Sequence, residues 1–301
     1  MNRQTSETQK GIIGALACYL LWGAFPLFWY PINQSDMPAM QVLAQRVAWS
    51  AVFAVVCMLV FKQTQTVWQA VRQPKILLTF CASSLLIGSN WLIYLWAILN
   101  NHVVDASLGY FLNPLVNVLI GFLVLHEKLN KMQAASLILA ASGIVWLAIP
   151  AGQIPWVALS LAASFSLYAL IRKLAPMPAL AGLTLETLLL LPFALAYLGY
   201  CSWQNQLYFG QLNSLQTSII VLSGVATTVP LLLFTSSAKR ISLSLLGMLQ
   251  YVSPTLQFAL GLMLFGETLN ASRLAGYGLV WCGVAVFLWG TWLAGAKCHH
   301  N

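Results

Sequence analysis

Long apolar runs separated by short polar breaks dominate the chain. Ten runs stand out, at 11–30, 40–61, 76–99, 103–125, 133–149, 155–171, 181–200, 217–238, 241–265 and 271–293. Each approaches the roughly 20 apolar residues that a helix needs to cross a bilayer core. The breaks at 31–38, 100–102, 126–131, 172–178 and 266–270 are short. Short connections make consecutive helices antiparallel neighbours and leave no room for a soluble domain. The pattern predicts an all-α polytopic membrane protein with ten transmembrane helices. The first run has no small-residue cleavage exit, so it reads as a retained helix.

Composition reinforces this reading. Of 301 residues 60% are hydrophobic and 7% charged, against about 25% charged in soluble domains. The formal net charge of +8 changes the picture only through its distribution. With the N-terminus in the cytoplasm, Arg3, Lys10, Lys62, Arg72, Lys75, Lys128, Lys131, Arg172, Lys173, Lys239, Arg240 and Lys297 all fall on the cytoplasmic side. The opposite loops carry Asp36, Asp105 and Glu267, and Arg273 is the exception. Cytoplasmic loops of membrane proteins are rich in Lys and Arg, so the charge encodes orientation, with both termini cytoplasmic, and not nucleic-acid binding. The six cysteines show no metal-ligand spacing, and Cys298, His299 and His300 read as a polar tail. No cofactor or metal is called for.

A shift of 140 residues aligns NPLVNVLIGFLVLHEKLN at 113–130 with SPTLQFALGLMLFGETLN at 253–270. Pro114 meets Pro254, Gly121 meets Gly261, Glu127 meets Glu267, Leu129 meets Leu269, Asn130 meets Asn270, and further on Gly143 meets Gly283. The same shift pairs Arg46 with Glu186 and Ser83 with Ser223. Each half, 11–149 and 155–293, then holds five helices. Five is odd, so the halves enter the membrane from opposite faces. Such inverted repeats can exchange conformations about a pseudo-two-fold axis and open a central site to either side in turn.

Polar groups in lipid are costly and therefore informative. In the fourth run Tyr110, Asn113, Asn117 and Gly121 share a helical face, and in the ninth Gln250, Ser253, Gln257 and Gly261 share the equivalent face. Pro114 and Pro254 lie within these stripes and interrupt the backbone ladder. The third run adds Asn90, Trp91 and Tyr94, the sixth Ser160, Ser164 and Tyr168, and the first Tyr19, Trp22, Pro26 and Trp29. The amides and aromatics are candidate walls of a substrate cavity, and interhelical hydrogen bonding is the competing role. Two charges lie inside spans, Arg46 in the second and Glu186 in the seventh. Either would cost about 2.5–3.5 kcal/mol facing lipid unpaired at a helix centre. Arg46 could attract an anionic substrate group, gate the path or anchor at an interface. Glu186 could carry a proton or pair with a cytoplasmic cation such as Arg172. Among partners, a small-molecule substrate, the lipid bilayer and protons are expected.

The stretch SNWLIYLWAILNNHVVDASLGYFLNPLVNVLIGFLVLHEKL at 89–129 closely resembles the RarD proteins of the EamA-type drug/metabolite transporter superfamily. So do QRVAWS at 45–50, LETLLLLP at 185–192 and LGMLQYVSPTLQF at 246–258. The resemblance implies a ten-helix permease of a bacterial inner membrane with two EamA domains, a secondary transporter that exports small metabolites or drugs. Gln45 stands where the family has His, and Asp105 where it has Glu. No Walker A sequence, HExxH or nucleophile elbow is present. An enzyme acting on lipid-linked substrates would need clustered acids, nucleophiles or metal ligands. A sensor or scaffold would bring soluble domains or long tails.

Overall fold

Each of the ten apolar runs is helical through most of its described part. The computed structural model describes residues 2–100, 103–148, 156–264 and 271–298, less the side chains of 2–5, 98–99, 103–106, 264, 271–273 and 294–298. In chain order the first half contains α1 (Asn2–Gly23), α2 (Phe25–Asn33), α3 (Ala39–Val60), α4 (Thr64–Val71), α5 (Pro74–Leu99), α6 (Val103–Leu123) and α7 (Lys131–Ala148). The second contains α8 (Trp156–Leu174), α9 (Ala179–Trp203), a 3₁₀ turn at Phe209–Gln211, α10 (Ser214–Ala238), α11 (Leu243–Gln250), α12 (Val252–Leu264) and α13 (Ala271–Cys298). Among the described residues no strand is formed. Among the described residues eight helical segments are long and apolar enough to cross a membrane, and Ser107–Leu123 is a shorter apolar helix.

Two of the runs are broken where the sequence read them as continuous. The first divides at Ala24 into α1 and α2, with Pro26 in the first turn of α2. The ninth divides at Tyr251 into α11 and α12. Pro254 explains the second break. Its ring clashes with the carbonyl four residues back and it offers no N–H, so the ladder fails beside Gln250. Pro114, by contrast, sits inside an unbroken α6. The short α4 fills the connection between the second and third runs.

Helix starts recur at the shift seen in the sequence. Ala39 and Ala179, and Pro74 and Ser214, are each 140 residues apart. Packing recurs with them. α1 packs on α10, α11 and α12, and α8 packs correspondingly on α5 and α6. Three contacts map onto themselves: α3 against α9, α6 against α11, and α7 against α13. At the last, a Cβ on Gly143 would meet the Gly276 carbonyl at 2.7 Å, and one on Gly283 would meet the Ser136 carbonyl at 2.9 Å. These two approaches are related by the same shift, and only hydrogen fits at either. Between α6 and α11 the Tyr251 hydroxyl donates to the Phe111 carbonyl at 3.1 Å across two positions 140 apart.

Candidate substrate and coupling site

Along α6 the apolar majority leaves a few amides, and the structure packs them against α11. Asn113, Asn117 and Gln250 are buried, and the Asn117 amide donates to Gln250 Oε1 at 3.2 Å. Gln257 Nε2 donates to the Trp22 carbonyl at 3.1 Å, tying α12 to α1. Asn90 Nδ2 on α5 donates to the Leu161 carbonyl at 2.9 Å and to Ser164 Oγ at 3.0 Å on α8. The carboxamide oxygens of Asn113 and Asn117 are buried and accept no hydrogen bond among the described residues. A buried acceptor left unmade costs about 1–3 kcal/mol, so these two oxygens are the open polar positions of the α6 stripe. Beside them, Trp22, Phe165, Tyr168 and Phe234 form one aromatic cluster, with Trp22 edge-on to Phe165 at 5.8 Å and Tyr168 stacked on Phe234 at 6.3 Å.

Tyr168 also turns its hydroxyl toward Glu186 Oε2 at 3.3 Å. Glu186 lies seven residues into α9 and is fully buried, as is Arg172. The Arg172 Nη1 to Glu186 Oε1 distance is 3.5 Å. Ser83 Oγ donates to the same carboxylate oxygen at 2.5 Å, Arg172 Nη2 donates to the Ala179 carbonyl at 3.0 Å, and the guanidinium lies over the Phe80 ring at 5.2 Å. The sequence placed Arg172 in a cytoplasmic loop. The structure corrects this: α8 continues to Leu174, carrying Arg172 inward, where Glu186 compensates its charge. A buried charge persists only with such a partner.

Arg46 lies seven residues into α3, the depth of Glu186 in α9 but from the other end of the bundle. Its guanidinium stacks on Trp91, 4.4 Å from the ring centroid. Tyr94, one turn along α5 from Trp91, meets Tyr110 of α6 edge to face at 5.7 Å. Both tyrosines are 38% exposed.

The basic end is closed by three interlocking contacts. Lys173 Nζ at the end of α8 donates to the carbonyls of Ala238 at 2.8 Å and Ile241 at 2.5 Å, at the end of α10. Lys239 Nζ returns the contact to the carbonyls of Ala175, at 2.7 Å, and Met177. Each lysine thus satisfies orphan carbonyls past the other helix. Burial lowers the Lys239 pKa, and Arg172 nearby lowers it further. Glu127 completes the closure. His126 takes a left-handed backbone, φ 53°, and Glu127 then accepts from Leu243 N at 2.6 Å, Ser244 N at 2.9 Å and Ser244 Oγ at 2.6 Å. A carboxylate on the free N–H groups of a helix start is stabilising. A Cβ on Gly121 would come within 2.6 Å of this carboxylate.

The structure therefore brings Trp22 and Tyr168 together in one cluster, Asn117 with Gln250, and Arg46 with Trp91, Tyr94 and Tyr110. It keeps Arg46 and Glu186 in separate surroundings. Arg172, one of the partners the sequence offered for Glu186, is the cation paired with it, whereas Ser83, Lys173 and Lys239 were missed as site residues. Ser83 was already visible as the partner of Ser223 under the 140-residue shift. The side chains of Asp105, Arg273, Cys298 and His300, and all of Glu267, lie outside the described parts.

The profile of the EamA-like transporter family matches residues 9–149. The uncharacterized transporter YojE of Bacillus subtilis is 38% identical over 301 residues, covering 98% of this chain and all of that protein. The protein RarD of Escherichia coli is 38% identical over 282 residues, covering 94% of this chain and 95% of the other. The chain belongs to the EamA-like transporter family. Its relatives in this family include several proteins named RarD. A solved crystal structure superposes with a TM-score of 0.70 at 20% identity, covering 94% of this chain and 97% of the other, which supports the fold. With its apolar helices and these relatives, the chain is a multi-pass bacterial membrane protein of transporter type.

Proposed function

We propose that the chain is a secondary carrier that exports small organic solutes across a bacterial inner membrane by alternating access. Two inverted five-helix halves, 11–149 and 155–293, rock about the axis through α6 and α11, and both termini lie in the cytoplasm. The observation that carries this reading is the recurrence of helix starts and packing partners at one fixed shift. Two bundles so related have two equivalent arrangements of similar energy, which alternating access requires. The lysine contacts and the Glu127 cap close the cytoplasmic end here, while Tyr94 and Tyr110 are exposed at the other.

On this reading Asn113, Asn117, Gln250, Gln257, Asn90, Trp22 and Tyr168 line or support the solute path. Glu186 is the coupling group: it takes a proton and releases Arg172, and the aromatic cluster joins it to the path through Tyr168. Nothing in this scheme needs a cofactor. Transport by the purified protein in liposomes, scanned over organic cations, anions and neutral solutes with and without a pH gradient, tests it. Gradient-driven movement of at least one solute class, uncoupled by Glu186→Gln, is the expected result. If no class moves faster than in empty liposomes, the carrier reading fails.

A further inference from the structure

The interior holds two arginines, and the protein treats them differently. Arg172 is matched with Glu186. Arg46 faces no carboxylate among the described residues; its Nε, like the Nε and Nη1 of Arg172, is buried without a hydrogen-bond acceptor. Stacking on Trp91 stabilises the cation but does not satisfy its N–H groups. The stacking also fixes geometry. With one face of the planar guanidinium covered by the indole, its donors project in the plane, along the edge. That edge suits a planar two-oxygen acceptor, which a guanidinium binds with two parallel hydrogen bonds. Arg46 itself is only partly buried, and Tyr94 and Tyr110 are exposed beside it, so an incoming solute can reach it. The two phenols supply apolar rings and hydroxyls for the body behind the charged head.

We infer that Arg46, with Trp91, Tyr94 and Tyr110, forms a receptor for the carboxylate of an organic anion or zwitterion, and that this group is the recognition element of the solute. This rests on the carrier reading for its purpose, though not for its binding test. The contrast with Arg172 supports it. The chain gives Arg172 a carboxylate and gives Arg46 none among the described residues.

Binding to the purified protein in nanodiscs of phosphatidylcholine tests the inference directly. Benzoate, benzamide and phenyl phosphate are compared by calorimetry or by ligand-induced thermal stabilisation. Benzoate is expected to bind at least tenfold more tightly than benzamide, which keeps the body and loses the charge. Arg46→Gln abolishes that preference, and Arg46→Lys, which keeps the charge but not the fork, retains part of it. Should Arg46→Gln not fold, the Arg46→Lys result decides alone, since an unchanged preference there refutes the fork. Equal binding of benzoate and benzamide overturns the inference. So does a preference that appears only in Asp105→Asn, which would mean an internal carboxylate holds Arg46. Binding of phenyl phosphate alone, or loss of benzoate binding when phosphatidylglycerol replaces phosphatidylcholine, assigns the site to a phosphate or lipid headgroup and also overturns it. If benzoate binds with the stated preference but no solute moves in liposomes, the receptor stands and the carrier reading fails. If solutes move without regard to charge, the reverse holds.

Discussion

The buried pair of Arg172 and Glu186 makes the sharpest demand on the interior. Arg172→Met removes the cation and leaves the carboxylate with two hydroxyl donors, Ser83 at 2.5 Å and Tyr168 at 3.3 Å. Glu186→Gln leaves the guanidinium with the Ala179 carbonyl and the Phe80 ring. Breaking a buried pair from one side costs about 3–5 kcal/mol, because the surviving charge stays desolvated. Each single variant should therefore lose a factor of roughly 10² to several times 10³ in its folding equilibrium, at about 1.4 kcal/mol per tenfold. The double variant Arg172→Met with Glu186→Gln removes both charges. The introduced carboxamide can still accept from Tyr168, and the methionine fills much of the arginine volume, so the double should be no worse than either single. The coupling energy is then about 3 kcal/mol or more, at the upper end for neighbouring residues.

Equilibrium unfolding in mixed detergent–SDS micelles, followed by tryptophan fluorescence, reads all four proteins on one scale. Additive losses in the double variant would refute the reasoning, since they would mean that the two charges do not compensate each other. Singles within about 1 kcal/mol of the parent would refute it more directly, by showing that water reaches the pair.

Two further outcomes are expected. Lys173→Met together with Lys239→Met removes both reciprocal contacts at the basic end, so labelling of a Ser237→Cys reporter from that side should rise several-fold; Ser237 is buried, and unchanged labelling would mean the lysines do not hold the end shut. Gly224→Ala drives a Cβ into the Trp49 carbonyl and should destabilise the α3–α10 contact by about 1–3 kcal/mol, whereas Gly278→Ala, with nothing within 4 Å, should change stability by no more than a helix-propensity gain of about 1 kcal/mol.

Most of the helices were legible because hydrocarbon imposes one simple rule, an apolar stretch of sufficient length with its backbone bonded internally. The breaks at Ala24 and Tyr251 were not. Proline marks a weak point in a helix, but tertiary packing decides whether it yields, so Pro254 sits beside a break while Pro114 does not. The site was half legible. Arg46, Glu186 and the amides of α6 and α11 announced themselves as polar groups at apolar positions. Arg172 was named as a partner for Glu186 but read as a cytoplasmic charge, and Lys173 and Lys239 were hidden by the rule that made the topology readable: cations near helix ends were read as solvated, and only the way α8, α9 and α10 converge shows that one is buried and two are bonded to carbonyls. Orphan carbonyls leave no trace in a sequence, since every residue carries one.

On the proposed reading of a carrier with two similar halves, these contacts bear on how it acquires a preferred resting state. Perfectly matched halves would leave the two arrangements equal in energy. Here the closing lysines have no equivalents: the positions 140 residues before Lys173 and Lys239 are Asn33 and Leu99. Four lysine–carbonyl contacts hold the basic end, and the other end must close by different means. Charge-assisted hydrogen bonds contribute about 1.5–3 kcal/mol each when formed, and even a net difference of about 2.7 kcal/mol displaces a two-state equilibrium a hundredfold. Alternation then needs a ligand that prefers the other arrangement. On the proposed reading, a solute bound at Arg46 or a proton on Glu186 supplies that preference. The proton acts where it matters, because Glu186 holds Arg172 in the last turn of α8, one residue before Lys173. Releasing Arg172 loosens the turn from which Lys173 reaches α10, so neutralising one carboxylate weakens the closure of the whole basic end.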